Sequence, residues 1–140
     1  MGRGVKLALT LIISATAFCA RINAQVQDNL VLFWNLENFF DWTDGGNGDS
    51  DTEFTPGGKR HWTARKFYLR CNAVAKSVLW ISDEYGKLPD VIGLAEIENR
   101  GVLSKLINYT SLRKTGYKIV HYDSPDHRGI DVALLWNTGT

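Results

Sequence analysis

The chain has 140 residues, 16 Lys and Arg against 15 Asp and Glu, and a formal net charge of +1. A chain of this length buries one modest core, and no internal repeat divides it, so we predict one domain or part of one. The balanced charge gives no general signal for nucleic-acid binding and leaves only a local basic patch for that role.

The first 24 residues have the pattern of a secretory signal peptide. Residues 1–6 are basic, residues 7–20 are mostly apolar, and Ala24 offers a small residue at a cleavage point. This stretch is shorter than the about 20 apolar residues that a membrane-spanning helix needs. We therefore predict a signal peptide at 1–24, a domain at 25–140 that is periplasmic or secreted, and no transmembrane segment after cleavage. Cys19 offers an alternative lipoprotein anchor, but Phe18 before it is larger than the residue usual there.

The middle of the chain predicts a strand, a loop and a helix in that order. Residues 29–34 are strongly apolar and β-branched or aromatic, which predicts an interior strand ending at Asn35. Residues 41–58 are rich in Gly and carboxylates and predict a loop. From Thr63, a favourable N-cap, apolar residues recur at helical spacing up to Gly86. Cys71 lies on that apolar stripe, so we assign it to packing.

The remaining elements complete an α/β order. Residues 90–96 predict a strand ending at Glu96, and residues 99–112 predict a helix opened by Asn99. Residues 117–122 and the apolar run 130–136 predict two further strands, separated by the polar turn 123–129. We therefore expect an α/β fold in which helices cover interior strands.

Oxygen-bearing side chains follow two of the predicted strands. Asn35 ends the first strand, Glu37 follows it closely, and Glu96 ends the second. Oxygen ligands at the ends of neighbouring strands suit a hard divalent cation. Each residue alone is more often an ordinary turn or surface residue, but the repetition on two strands favours a metal-dependent phosphoryl enzyme.

The acidic loop suggests a different function. Residues 44–51 combine Gly, Asn and Asp, which could supply oxygen ligands to calcium. The spacing does not match the twelve-residue EF-hand pattern, so a solvated surface loop is the favoured interpretation. The alternative is a non-catalytic, exported calcium-binding module.

Three blocks of sequence resemble successive N-terminal motifs of the endonuclease/exonuclease/phosphatase family, especially its exported bacterial members. The blocks are residues 33–41 (FWNLENFFD), 92–99 (IGLAEIEN) and 121–135 (HYDSPDHRGIDVALL). The resemblance implies the N-terminal half of a DNase I-like fold, which is a sandwich of two sheets flanked by helices.

The resemblance also implies functional roles. Asn35 would contact the phosphate, the nucleophile or the metal, Glu37 would be a further acidic site residue, and Glu96 would be the principal metal ligand. The implied activity is that of a Mg²⁺-dependent phosphodiesterase or nuclease, with Ca²⁺ or Mn²⁺ as other possible ions. A lipid or inositol phosphate phosphatase on the same fold is the alternative. The expected partner is a phosphoester substrate, with nucleic acid among the candidates, bound by a monomer.

The third block adds further candidate site residues. Arg128 has the planar fork that binds a phosphate, and we predict that Arg128 and Asp131 belong to the substrate-phosphate site. Asp131 lies in an apolar run and needs a partner, either Arg128 or the cleft. His121 and His127 titrate in the range of a general base. The resemblance does not support that role for them, because the family's catalytic histidine comes near its C-terminus.

The family's later motifs are absent from this sequence. Members carry Asp-x-Asn and a Ser-Asp-His or similar motif in the second half of the domain, and neither occurs here. We therefore expect this chain to be a fragment that is inactive alone, since removing members of a catalytic unit removes most of the rate.

Overall fold

The computed structural model describes residues 28–46 and 48–139. The strands are β1 (Val31–Phe39), β2 (Val91–Ile97), β3 (Lys118–His121) and β4 (Asp131–Trp136), and the helices are α1 (Ala64–Tyr85) and α2 (Arg100–Asn108). The predicted signal peptide at 1–24 and the alternative lipid anchor at Cys19 lie outside the described residues. In the described part, no helix has the length and apolar character needed to cross a membrane.

The four strands form one mixed sheet in the order β1-β2-β4-β3. β1 runs parallel to β2, while β4 is antiparallel to both β2 and β3. Within the described residues β1 therefore lies at an edge, and the prediction of an interior strand at 29–34 is wrong. Val31 and Phe33 are 65% and 68% exposed, because they lie on the face of the sheet that the described residues leave uncovered.

Only one face of the sheet is covered in the described part of the chain. Ile92, Leu94 and Leu135 are buried in the main core together with apolar residues of α1 and α2. The opposite face carries large apolar side chains that are exposed: Val31, Phe33, Val120, Val132, Leu134 and Trp136. The apolar run 130–136 thus alternates between a buried and an exposed side, as the two-residue period of a strand requires.

Helix α1 has the ends that the sequence predicts. The Thr63 side chain accepts a hydrogen bond from Lys66 N at 3.4 Å, and Gly86 ends the helix in the left-handed conformation with φ 70°. Cys71 is fully buried, and burial raises the pKa of its thiol to about 12. The assignment of Cys71 to packing is confirmed.

Helix α2 is shorter than predicted. Asn99 caps it as expected, accepting from Val102 N at 3.1 Å, but the helix ends at Asn108. The reason is Thr110, whose hydroxyl donates to Leu106 O at 2.7 Å and accepts from Leu112 N at 3.2 Å. These two bonds start a separate 3₁₀ turn at Ser111–Lys114.

The loop predicted at 41–58 also contains structure. A 3₁₀ turn, Asp51–Phe54, brings Phe54 onto Phe40 with ring centroids 4.6 Å apart. Together with Ile130, these rings form a second, small core. The loop is therefore anchored next to the end of β1, where the candidate site lies.

Candidate metal centre

Glu96 occupies a bulge in β2. Ala95 and Ile97 pair with the consecutive residues Val132 and Asp131 of β4, so Glu96 is the extra residue between them. The pairing with β1 is interrupted at the same point, because Ala95 pairs with Asn35 while Ile97 pairs with Phe39. A single residue of β2 thus faces three residues of β1.

Left-handed backbone conformations concentrate at this interruption. Glu37, Asn38 and Glu96 have φ values of 53°, 60° and 57°. Each such residue costs on the order of 1 kcal/mol and persists only where the surroundings hold it in place. Residues of this kind gather at functional sites, and here they lie on the two strands that carry the predicted site.

Hydrogen bonds join the two strands at the bulge. Asn35 Nδ2 donates to Glu96 Oε1 at 3.0 Å, and Asn38 N donates to Glu96 Oε2 at 3.1 Å. Glu37 N in turn donates to Asn35 Oδ1 at 2.7 Å. Each oxygen of the Glu96 carboxylate therefore has one donor, and the side chain of Asn35 is fixed from both ends.

This arrangement fits a hard divalent cation. A carboxylate has about four lone-pair sites, so one hydrogen bond to each oxygen leaves Glu96 able to bind a metal. Glu96 is half-buried, whereas Asn35 and Glu37 are exposed. The atoms available to a metal are oxygens in a partly open site, and oxygens are the ligands that Mg²⁺, Mn²⁺ and Ca²⁺ prefer. The metal-ligand roles of Glu96 and Asn35 stay predictions.

The structure brings the substrate-phosphate candidates to the same place. A pocket of about 300 Å³ is lined by Asn35, Glu96, Arg128 and Asp131, among others. The exposed guanidinium of Arg128 donates to Asp126, with Nη2 at 2.7 Å from Oδ2 and Nε at 3.1 Å from Oδ1. These bonds from Arg128 lower the pKa of Asp126 to about 2.

Asp131 lines this pocket, which is one of the two alternatives predicted from sequence, but it does not pair with Arg128, which is the other. Its Oδ2 lies 2.8 Å from His121 Nε2, and its Oδ1 accepts from Ser124 N at 2.8 Å. Arg128 pairs with Asp126 instead. At the start of β4, Asp131 thus contacts β3 with one oxygen and the turn 123–129 with the other.

His121, Asp123 and Asp131 form a group whose potential ligand atoms lie within 4.8 Å of one another. The ring of His121 already contacts Asp131 directly, and His121 Nδ1 lies 4.0 Å from Asp123 Oδ1. A cation between these groups would have to break the bond between His121 and Asp131. The bulge at Glu96 fits a metal better, because a cation can bind its carboxylate while the hydrogen bonds from Asn35 and Asn38 stay in place.

The carboxylates of the acidic loop point to separate partners. Asp41 is buried and pairs with Lys105; burial opposes its charged form, but the bonds from Lys105 and Thr43 outweigh burial and lower its pKa. Asp44 accepts from Gly46 N at 3.1 Å, and Glu53 lies 3.6 Å from Arg60 Nε. Within the predicted calcium loop, the buried Asp51 accepts from Gly45 N at 2.7 Å. Among residues 28–46 and 48–139, the group of side chains that could hold a metal together includes no carboxylate of this loop, so the geometry does not favour the calcium-loop alternative.

Arg70 supports the bulge from helix α1. Its Nη1 donates to Asn38 O at 3.1 Å, and its Nη2 donates to Glu37 O at 2.8 Å and also to Leu36 O. Its guanidinium lies over the ring of Phe39, 5.5 Å from the centroid. Burial lowers the pKa of Arg70 from its ordinary value. One cation therefore holds three consecutive carbonyl groups of β1.

The sequence places Arg70 on the polar face of α1 and gives it no role. Its partners are backbone carbonyls, which carry no sequence signal. They point toward α1 only because Glu37 and Asn38 adopt left-handed conformations, and neither residue is a glycine that would announce such a turn.

A comparison with protein families matches residues 30–140 to the endonuclease/exonuclease/phosphatase family. This chain belongs to that family. Comparisons with curated proteins and with solved structures gave no match.

Membership confirms the resemblance and the fold class. The mixed α/β sheet with its helices is part of a DNase I-like fold, and the family consists in general of hydrolases that act on phosphoester bonds and typically need a divalent metal. The specific ion, the substrate and the role of each site residue stay predictions.

Replacing Arg70 with Met should release the three carbonyls of β1. We expect a loss of about 2 kcal/mol in the free energy of unfolding, because a charged donor to partly buried acceptors is removed. Mg²⁺ affinity should fall as well, since Asn38 N would no longer be held against Glu96. Arg70→Lys, which keeps the charge but not the fork, should restore stability in part. Urea unfolding with and without Mg²⁺ measures both effects, and unchanged affinity in Arg70→Met would contradict the supporting role.

Substitutions at Asn38 test the strained backbone. The described hydrogen bonds of this residue come from its backbone, so Asn38→Gly should leave stability within about 1 kcal/mol of the original. The branched side chain of Val opposes a φ of 60°. Asn38→Val should therefore lower the free energy of unfolding by about 1–2 kcal/mol more than Asn38→Gly does. Urea unfolding of the two variants decides, and equal stabilities would show that the left-handed conformation is not enforced in solution.

Proposed function

We propose that this protein is a Mg²⁺-dependent phosphodiesterase or nuclease whose metal is held by Glu96 with help from Asn35. The observation that carries the proposal is the contact between these two side chains on paired irregularities of β1 and β2, with Asn35 Nδ2 3.0 Å from Glu96 Oε1. Family membership supports the general class, a hydrolase of phosphoester bonds.

In such a reaction Glu96 would bind the metal and Arg128 would bind the phosphate. Glu96 holds the cation with oxygens that are already oriented by Asn35 and Asn38 N, so little reorganisation is needed on binding. A bound Mg²⁺ supplies neutralisation of the phosphoryl charge and activation of the attacking water. Arg128 lines the same pocket of about 300 Å³. Its guanidinium can donate to a phosphate oxygen of the substrate after its bonds to Asp126 break.

Export and assembly form part of the same proposal. The pattern of residues 1–24 supports secretion or a periplasmic location, and we propose a monomer that acts on a phosphoester, including nucleic acid. A lipid or inositol phosphate phosphatase uses the same site chemistry, so substrate comparison separates it from a nuclease.

The test uses Glu96→Gln in the full-length protein. This variant keeps the size of the side chain and removes the charge that the cation needs, so Mg²⁺-dependent hydrolysis of DNA and of a generic phosphodiester should fall by at least about a hundredfold. Hydrolysis is measured with DNA, a sphingolipid and a phosphomonoester, in Mg²⁺ and in a chelator.

The matched control is Glu84→Gln, which removes the same charge from an exposed position on α1. It should retain full activity. Original activity in Glu96→Gln would overturn the metal assignment, and preference for the sphingolipid over DNA would favour the lipid phosphatase.

A further inference from the structure

We propose that His121 is a positioning residue, which sets the place of the Arg128 side chain in the candidate site. It acts through a series of hydrogen bonds that runs from the end of β3 into the turn 123–129. The inference rests on the proposed function, in which Arg128 binds the phosphate of the substrate. It gives a role to a histidine that does not itself line the pocket of about 300 Å³.

The series begins at a buried pair between two neighbouring strands. His121 ends β3 and Asp131 begins β4, and only 4% and 7% of their side chains are exposed. His121 Nε2 lies 2.8 Å from Asp131 Oδ2. A buried polar pair adds little stability relative to apolar side chains of the same size. What this pair does provide is a fixed position for the Asp131 carboxylate.

Ser124 continues the series from Asp131 into the turn. Asp131 Oδ1 accepts a hydrogen bond from Ser124 N at 2.8 Å. The Ser124 hydroxyl donates to Ile130 O at 2.9 Å and accepts from Asp126 N at 3.2 Å. The position of Asp126 therefore depends on Ser124, and the position of Ser124 depends on Asp131.

Asp126 connects the series to Arg128. Its Oδ1 accepts from Arg128 N at 2.9 Å and from Arg128 Nε at 3.1 Å, while its Oδ2 accepts from Nη2 at 2.7 Å. Two parallel bonds to a guanidinium fix its direction as well as its distance. The bond from Arg128 N fixes the backbone. The side chain therefore starts from the same place after its guanidinium turns from Asp126 to a phosphate.

Two further hydrogen bonds hold the backbone of the turn without involving His121. Gly129 N donates to Asp126 O at 2.9 Å, and Asp49 N donates to His127 O at 2.9 Å. We therefore expect the turn to stay folded when His121 is replaced. The expected effect is a displacement of Arg128, not the loss of the turn.

The surroundings of His121 fit positioning better than proton transfer to or from the substrate. Its Nε2 already contacts Asp131, and its Nδ1 lies 4.0 Å from Asp123 Oδ1. A general base has to reach the proton that it removes, directly or through one water. His121 does not line the pocket that contains Glu96 and Arg128. Its effect on the reaction therefore passes through Arg128.

The first measurement follows the guanidinium without substrate or metal. NMR gives the rate at which the Arg128 Nε proton exchanges with water in the full-length protein in a chelator, and Arg128→Gln identifies the signal. His121→Leu removes the partner of Asp131, whereas the side-chain amide of His121→Gln can still donate to it. The matched control is His127→Leu, which removes an imidazole from the turn itself. That side chain is 80% exposed, and its Nδ1 lies 3.9 Å from Asp126 Oδ1, beyond hydrogen-bond distance.

We expect the exchange of the Arg128 Nε proton to become about tenfold faster in His121→Leu, the effect of weakening one hydrogen bond to a charged group. His121→Gln should restore the rate in part, and His127→Leu should change it by less than about twofold, since exposed charge contacts contribute little. An unchanged rate in His121→Leu, or an equal effect of His127→Leu, would overturn the proposal.

A second variant covers the case in which His121→Leu does not fold. Ser124→Ala removes the hydroxyl that accepts from Asp126 N, and it changes a residue of the turn that is exposed. It should accelerate the exchange of the Arg128 Nε proton as well. The original rate in Ser124→Ala would show that the series does not hold Arg128 in place.

The second measurement asks whether His121 acts through Arg128. KM and kcat for bis(p-nitrophenyl) phosphate are determined in Mg²⁺ for His121→Leu, Arg128→Gln and the double variant. Each single change should raise KM about tenfold and change kcat less. The double variant should have a KM within about twofold of Arg128→Gln, because both changes interrupt the same series.

Multiplication of the two single effects on KM in the double variant would contradict action through Arg128. Absence of diester hydrolysis by the original protein would contradict the proposed function instead. The exchange measurement uses neither substrate nor metal, so it would still decide whether His121 positions Arg128.

Discussion

The hydrogen bonds from Asn35 Nδ2 and Asn38 N to the two oxygens of Glu96 are the interaction on which the candidate site depends. They exist because both strands leave regular pairing at the same point. In a regular strand, the side chain of Glu96 would point straight out from one face of the sheet. The bulge turns it toward the end of β1 instead. The carboxylate is thereby placed in a pocket that also contains Arg128.

The left-handed residues at this interruption cost conformational free energy. Packing and hydrogen bonds from α1, on the covered face of the sheet, offset that cost. Phe39, directly after the strained residues, is fully buried and packs on Phe67 of α1 with ring centroids 5.5 Å apart. Arg70, one turn further along α1, binds the carbonyls that the left-handed residues expose. The same helix therefore fixes the end of β1 by apolar packing and by charge.

The sequence predicted those features that depend on periodicity and on local capping. The period of α1 and the residues Thr63, Gly86 and Asn99 located the helices, because caps are satisfied within a few residues of the chain. The apolar character of residues 29–34 could not show that β1 lies at an edge of the described sheet, since a single sequence does not show which strands pair with one another. The early end of α2 was not predicted. It depends on the hydroxyl of Thr110, which donates to Leu106 O, a carbonyl of the helix itself.

The sequence predicted that Asn35 and Glu96 belong to one site, but it did not predict the geometry that joins them. Asn35 and Glu96 were named as partners of one cation, and the structure places them in contact. Asp131 was given a choice that included Arg128, but its partner is His121, ten residues before it on the neighbouring strand. Arg70 was missed because its partners are backbone groups made available by two left-handed residues. Such backbone interactions depend on the tertiary fold and have no signature in a single sequence.

The most direct test of the central claim is to locate a bound Mn²⁺ by its paramagnetic broadening of amide signals in NMR spectra of the protein. The account predicts that substoichiometric Mn²⁺ first broadens the side-chain amide of Asn35 and the backbone amide of Asn38, which lie against Glu96, and that Glu96→Gln abolishes the effect. Broadening that begins at the amides of His121 and Asp123 and persists in Glu96→Gln would place the cation elsewhere and contradict the account.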